Sequence, residues 1–236
     1  QGPHCMQSTL SRLLSPALLL AGLTLGAPLA NAQQWVEGKD YFVIQPAQRT
    51  STPPGVAEVT EVFSYACTFC NRAVPIMDKL KESLPANARM TYLPASFNQP
   101  ESWPMFQRVY YTLAALDQIP RQHNAVYSAV WTSKELAVTD PGGQRLKSPQ
   151  PTIEDAARFF EKKAGIKQAQ FLATAKSFSV DANCRRADQL VKAYRIDGTP
   201  TLIVNGRYKI GAQKLADASE LIEMVKWLIA KDSGGG

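Results

Sequence analysis

The chain has 236 residues, 45% of them apolar and 19% charged, with a formal net charge of +6. That is an ordinary globular composition, enough for one sizeable core, and it reads as a single domain carrying an insertion rather than two independent domains. The charge is only mildly positive and gathers into no Lys/Arg block, which argues against a nucleic-acid partner.

Residues 1–32 read as a targeting segment. Gln1–Cys5, ahead of Met6, read as either an expression remnant or an upstream extension; Arg12 supplies the positive start, and Leu13–Ala27 is the apolar stretch. Ala30-Asn31-Ala32 is a small-x-small cleavage site, so removal after Ala32 is expected, with Gln33 as the mature start. Pro16, Gly22, Gly26 and Pro28 suit a permanent membrane helix poorly. Removal leaves three cysteines, Cys67, Cys70 and Cys184. An odd number this small is no disulfide scaffold; it fits a catalytic pair and a bystander.

Tyr41–Ile44 is a short strand candidate, broken by Pro46 and Pro53-Pro54-Gly55. Val56–Tyr65 alternates as a strand whose more apolar face carries Ala57, Val59, Glu61, Phe63 and Tyr65. A carboxylate on that face is costly without a purpose, which singles out Glu61. The strand runs into Cys67-Thr68-Phe69-Cys70, and a helix to about Leu84 is expected, kinked by Pro75. Met90–Leu93 is the next strand, giving β-α-β and a right-handed parallel crossover.

From Pro100 to about Phe178 the apolar spacing is helical. Met105, Val109, Leu113 and Leu116 mark one helix, and Val126, Ala129 and Val130 a second. Thr152 followed by Asp155 marks a third start, leading to Phe159-Phe160, and Ile166–Ser177 gives a fourth helix. Asp181 is expected to cap a helix ending at Tyr194. Gly198-Thr199-Pro200 then opens a β-hairpin turning at Asn205-Gly206. Ala218–Ala230 closes the chain as an amphipathic helix with Leu221, Ile222, Val225, Leu228 and Ile229 inward.

Two cysteines separated by two residues at a helix start can close a small disulfide, and the positive helix terminus stabilises a thiolate on the first. That is the recipe for a thiol–disulfide exchanger. The bland reading is a structural disulfide or half a zinc site. A zinc site wants about four ligands, and only Cys184 and His123 remain to supply them. Cys184 shares an apolar stripe with Ala187, Val191 and Tyr194, which reads as a buried small hydrophobe. His123, on a polar helix start, reads as a surface residue without a role, and Tyr110-Tyr111 and Phe159-Phe160 read as core.

These features together resemble the DsbA family of exported thiol–disulfide oxidoreductases. The resemblance rests on Glu61 six positions before Cys67, Cys67-Thr68-Phe69-Cys70, Pro75, the helical insertion and Gly198-Thr199-Pro200 before the hairpin. It implies an α/β thioredoxin fold with an inserted α-helical domain: a thioredoxin-like domain of 33–99 and 180–236, and an insertion of 100–179. It implies a periplasmic enzyme that donates a Cys67–Cys70 disulfide to reduced, unfolded exported proteins and is reoxidised by a membrane partner of the DsbB type. Cys67 would be the exposed nucleophile, Cys70 the buried resolving cysteine, Pro200 a cis proline against the motif, and Thr199 a backbone contact for substrate. Glu61 would assist proton transfer at Cys70. Ala66, Thr68 and Phe69 would line the substrate groove with Thr199 and Pro200. No metal or organic cofactor is implied, and a monomer is expected.

Two residues depart from the family pattern. Thr68-Phe69 stands where many members carry Pro-His, so Cys67 depends more on the helix terminus; its pKa is expected below the free value of about 8.5 but above the extreme of about 3.5. Thr199 resembles the exported disulfide isomerases, whose N-terminal dimerisation domain is far longer than Gln33–Gly55. An isomerase or reductase, and a non-redox client-binding chaperone, are the alternative functions.

Overall fold

The structure, a computed structural model, describes residues 35–214 and 216–234. The expected signal peptide, its cleavage after Ala32 and the start at Gln33 lie outside the described residues.

The elements run β1 (Phe42–Val43), β2 (Ala57–Phe63), α1 (Thr68–Ser83), β3 (Ala88–Pro94), α2 (Trp103–Ala115), α3 (Ile119–Trp131), α4 (Ile153–Ala164), α5 (Gln168–Ala175), α6 (Phe178–Ala193), β4 (Thr201–Val204), β5 (Tyr208–Ile210) and α7 (Ala218–Ser233). The strands form one sheet in the order β1-β5-β4-β2-β3. β2 and β3 are parallel, joined through α1; the other neighbouring pairs are antiparallel. This is the thioredoxin arrangement, with α2–α5 spliced between β3 and α6.

Two hydrophobic cores hold the sheet in place. One joins Ala73, Met77 and Leu80 of α1 and Leu221, Met224, Val225 and Leu228 of α7 to Val59, Leu202 and Val204. The other joins Val62, Phe63 and Tyr65 to Phe106, Val109 and Leu113 of α2, Val126 and Tyr127 of α3, and Ala187 of α6. Full burial of one side chain such as Phe63 contributes about 1.5–3 kcal/mol. The second core therefore fuses the inserted helices firmly to the strand that leads to Cys67.

Local signals explain most boundaries. Thr152 and Asp155 form a reciprocal capping box at α4, and Gly165 ends that helix with φ +67°. Pro75 lies inside α1 without ending it. Asn205 and Gly206 both take positive φ at the β4–β5 turn, as a tight hairpin requires. α6 begins earlier than expected. Its cap is Ser177, whose Oγ accepts from the Val180 amide at 3.3 Å. Asp181 sits instead in the first turn, where a carboxylate suits the helix terminus, paired with Arg108 at 2.7 Å.

Candidate redox site

β2 and α1 together place the cysteine pair. Phe63 ends the strand, Ser64–Ala66 turn the chain, and Cys67 becomes the N-cap of α1 in an extended conformation (φ −81°, ψ 118°). Its Sγ accepts from the Cys70 amide at 3.3 Å. A sulfur in this position satisfies one of the helix's orphan donors and feels the positive end of the helix. Cys70 lies one turn on and is fully buried, whereas Cys67 keeps 6% exposure. The exposed nucleophile implied by the resemblance is thus only slightly accessible, but it is the more accessible of the two.

The two thiols are driven apart electrostatically. The Cys67 pKa is lowered to about 6, chiefly by the side-chain hydrogen bond from Cys70, with the Thr199 side chain and then the Cys70 and Phe69 amides adding to it against the cost of burial. The Cys70 pKa is raised well above the ordinary thiol value, first by burial and then by its bond to Cys67. Sequence reasoning expected the lowering at Cys67 and credited the helix terminus; the partner thiol is the larger cause.

Across from the pair, Thr199-Pro200 is a cis peptide bond. The Cys67 thiol donates to the Thr199 carbonyl at 3.4 Å, and the buried Thr199 side chain beside the pair lowers the pKa of both thiols. Thr68 and Phe69 project outward, Phe69 with 66% exposure and the Arg72 guanidinium 5.9 Å from its ring centre. Ala66 is buried, as are Thr199 and Pro200, so Thr68 and Phe69 carry the exposed surface at this end.

Glu61 is 2% exposed, opposite Tyr92 of β3 and Leu202 of β4 in the sheet register. Its pKa is pushed up to about 8, first by burial and then by the charges of Asp78 and Cys67. At neutral pH the group mostly keeps its proton. Four phenols surround it: Tyr65, Tyr92, Tyr110 and Tyr127 are each pushed upward by burial, with Glu61 among the further causes.

His123 is not the surface residue expected from the sequence. Its ring lies over Tyr92 with centres 4.2 Å apart and touches Phe63, Tyr65, Tyr110 and Tyr127. Nδ1 is 2.9 Å from the Tyr65 hydroxyl. Burial, then the charge of Lys81, pulls its pKa down to about 3, so the imidazole is neutral. The polar neighbours Arg121 and Gln122 hid a stripe in which His123 precedes Val126, Tyr127 and Val130 at helical spacing. Trp131, from the same helix, donates its Nε1–H to the Tyr65 carbonyl at 2.8 Å. Cys184 is buried on α6 with its pKa raised to about 11 by burial, apart from this site. Among the described residues no group of three or more His, Cys, Asp or Glu side chains could hold a metal ion.

A buried dithiol with one acidified sulfur, on a helix N-terminus beside a Thr–cis-Pro loop, defines a thioredoxin-fold dithiol oxidoreductase. Comparison with known proteins narrows the class. Residues 58–223 match the family described as DSBA-like thioredoxin domain. The chain is 30% identical over 215 residues to the thiol:disulfide interchange protein DsbA of Pseudomonas aeruginosa, covering 91% of this chain and 93% of that one. It is 33% identical to the protein of the same name from Bordetella parapertussis, over 86% and 87% of the two chains. The crystal structure of Pseudomonas aeruginosa DsbA superposes with a TM-score of 0.71 at 28% identity, over 86% and 97% of the chains. The chain belongs to the DsbA-like thioredoxin family and is a thiol:disulfide oxidoreductase.

Proposed function

We propose that the protein works as a dithiol oxidase in the periplasm, exported by the 1–32 segment and donating its Cys67–Cys70 disulfide to reduced, unfolded exported proteins. One observation carries this direction: the folded chain lowers the Cys67 pKa to about 6 while burying Cys70. A fold that stabilises the thiolate stabilises the reduced protein, and so makes the disulfide a stronger oxidant.

In this reading a client thiolate attacks Cys67 Sγ, the Cys67–Cys70 bond breaks, and the electron pair goes to Cys70 Sγ. Glu61, protonated at neutral pH, gives Cys70 its proton. A second client thiolate attacks the client's own sulfur in the mixed disulfide and releases Cys67 as a thiolate. The Thr199 carbonyl, freed of the Cys67 thiol proton, accepts a backbone N–H of the bound client, and Pro200 closes the wall behind the pair. Thr68 and Phe69 are the contact surface, with Ala66 setting the turn beneath them. The catalytic unit is the thioredoxin-like part (33–99 and 180–236), acting as a monomer with the 100–179 insertion beside it. A membrane partner of the DsbB type restores the disulfide, and no bound cofactor takes part.

The test is equilibration of the Cys67–Cys70 disulfide with a glutathione buffer, beside melts of the oxidised and reduced protein. A potential well above about −270 mV, with the reduced form melting higher, is expected of an oxidase. A thioredoxin-like potential, with the oxidised form melting higher, would replace this reading with a reductase or isomerase.

A further inference from the structure

The Tyr127 hydroxyl is buried and has no hydrogen-bond partner among the described residues. Tyr127 itself is 3% exposed, on the inner side of α3. A phenol stripped of water and left unpaired destabilises the fold, whereas a phenylalanine would fill the same space without that penalty. Such a group calls for a reason, and a transient charge nearby is one.

The candidates are close at hand. Glu61, Cys70, Tyr65 and Cys67, in that order, are the charges that bear on Tyr127 once burial is counted. Its ring packs on Tyr65 at 5.0 Å and on His123 at 5.6 Å. Tyr65 and His123 already satisfy one another, and neither carries charge at neutral pH. Cys67 is supplied by the Cys70 amide. Cys70 holds its proton, since burial raises its pKa well above the ordinary thiol value. Glu61 is left: a carboxyl 2% exposed, protonated at rest and first among the charges that bear on Tyr127.

We propose that Tyr127 is a further residue of the redox centre, whose hydroxyl donates to the Glu61 carboxylate whenever that group has given its proton to Cys70. The inference rests on Glu61 being the proton partner of Cys70. In the return direction Cys70 gives its S–H proton to the Glu61 carboxylate, and the Cys70 thiolate attacks Cys67 Sγ of a mixed disulfide. The bond from Cys67 to the outer sulfur breaks, and the outer thiolate leaves with the electron pair. The step needs ionised Glu61, and the Tyr127 hydroxyl enlarges that fraction. The groups facing Glu61 are Tyr65 in the turn after its strand, Tyr92 on β3, Cys67 at the cap of α1, Cys70 and Asp78 on α1, Tyr110 on α2 and Tyr127 on α3. Of these phenols among the described residues, Tyr127 alone has a buried hydroxyl without a hydrogen-bond partner.

The test loads Cys67 with glutathione and follows ring closure by Cys70, read as glutathione release, from pH 6 to pH 9. It compares the parent, Tyr127→Phe, Glu61→Gln and the double variant. Tyr127→Phe is expected to slow release about tenfold at pH 7 and to move the rise of the rate upward by about one pH unit, the size of a hydrogen bond to a charge. Its melting temperature should hold or rise, because the resting protein loses an unpaired hydroxyl. In the Glu61→Gln background the same change should have no further effect. An unchanged rate and profile for Tyr127→Phe, or an equal slowing without Glu61, would overturn the proposal. A parent-like rate for Glu61→Gln alone would instead remove Glu61 as the proton partner, a separate failure visible in that variant by itself.

Discussion

Tyr65 and His123 meet through a 2.9 Å hydrogen bond between a phenol and an imidazole Nδ1, two residues before the redox cysteine and deep in a ring of aromatic side chains. The bond ties α3 to the turn after β2, and burial with the charge of Lys81 keeps the imidazole neutral.

Acid stability should report that neutrality. An unfolded chain protonates His123 below about pH 6.5, while the folded chain resists until about pH 3. The unfolded state then binds more protons, so the His123 contribution falls as the pH drops from about 6.5 to 3. His123→Phe should cost about 1 kcal/mol at pH 7, where Tyr65 loses its partner. It should be the more stable protein at pH 4. Urea unfolding at the two pH values checks the crossing.

Glu61 has the opposite sign. Its folded pKa, about 8, stands above the ordinary carboxyl value of 4.5, so its favourable contribution is complete below about pH 4.5 and is lost as the pH rises toward 8. Glu61→Gln should therefore stabilise the protein on the order of 2 kcal/mol at pH 8 and hardly at all at pH 4. Equal gains at both pH values would mean that the resting carboxyl is already ionised.

The acidic thiol can be titrated directly. Thiolate absorbance of the reduced protein should rise with a midpoint near pH 6 for Cys67, with Cys70 silent to well above pH 9. Cys70→Ala should move the Cys67 midpoint upward more than Cys70→Ser does, because serine still donates. Since the folded Cys67 pKa lies below its unfolded value, the stability it lends the reduced form is complete above about pH 9 and shrinks toward pH 6. The gap between reduced and oxidised melting temperatures should narrow over that window.

Cys184 should behave as packing. At pH 7 iodoacetamide is expected to modify Cys67 in the native reduced protein and to reach Cys184 only after unfolding, given a pKa near 11 and 9% exposure. Cys184→Ala should leave the redox potential unchanged.

The redox motif, the hairpin at Asn205-Gly206 and the closing helix were readable because each depends on neighbours in sequence: a spacing, a turn dipeptide, a 3.6-residue stripe. The inserted helices were readable as helices for the same reason. The contents of the aromatic ring were not, because Tyr92, Tyr110 and Tyr127 gather round Glu61 from three different elements, and His123 joins their rings from the third. Alternation marked Glu61 as inward; no local rule says which phenols gather round it. The two hydrogen-bonding neighbours of Asp188, Ser96 and Gln107, lie 92 and 81 residues away and were equally hidden. The shift of the α6 cap from Asp181 to Ser177 is a contest between two acceptable caps, decided by where the chain leaves α5.

The grip of α3 on Tyr65, by Trp131 at the carbonyl and His123 at the phenol, bears on how such chains can be recombined. The spliced helices are not a detachable module sitting over a self-sufficient catalytic scaffold. A chimera that exchanged them for those of a relative would import a different clamp two residues from Cys67, and with it a different set point for the reactive sulfur.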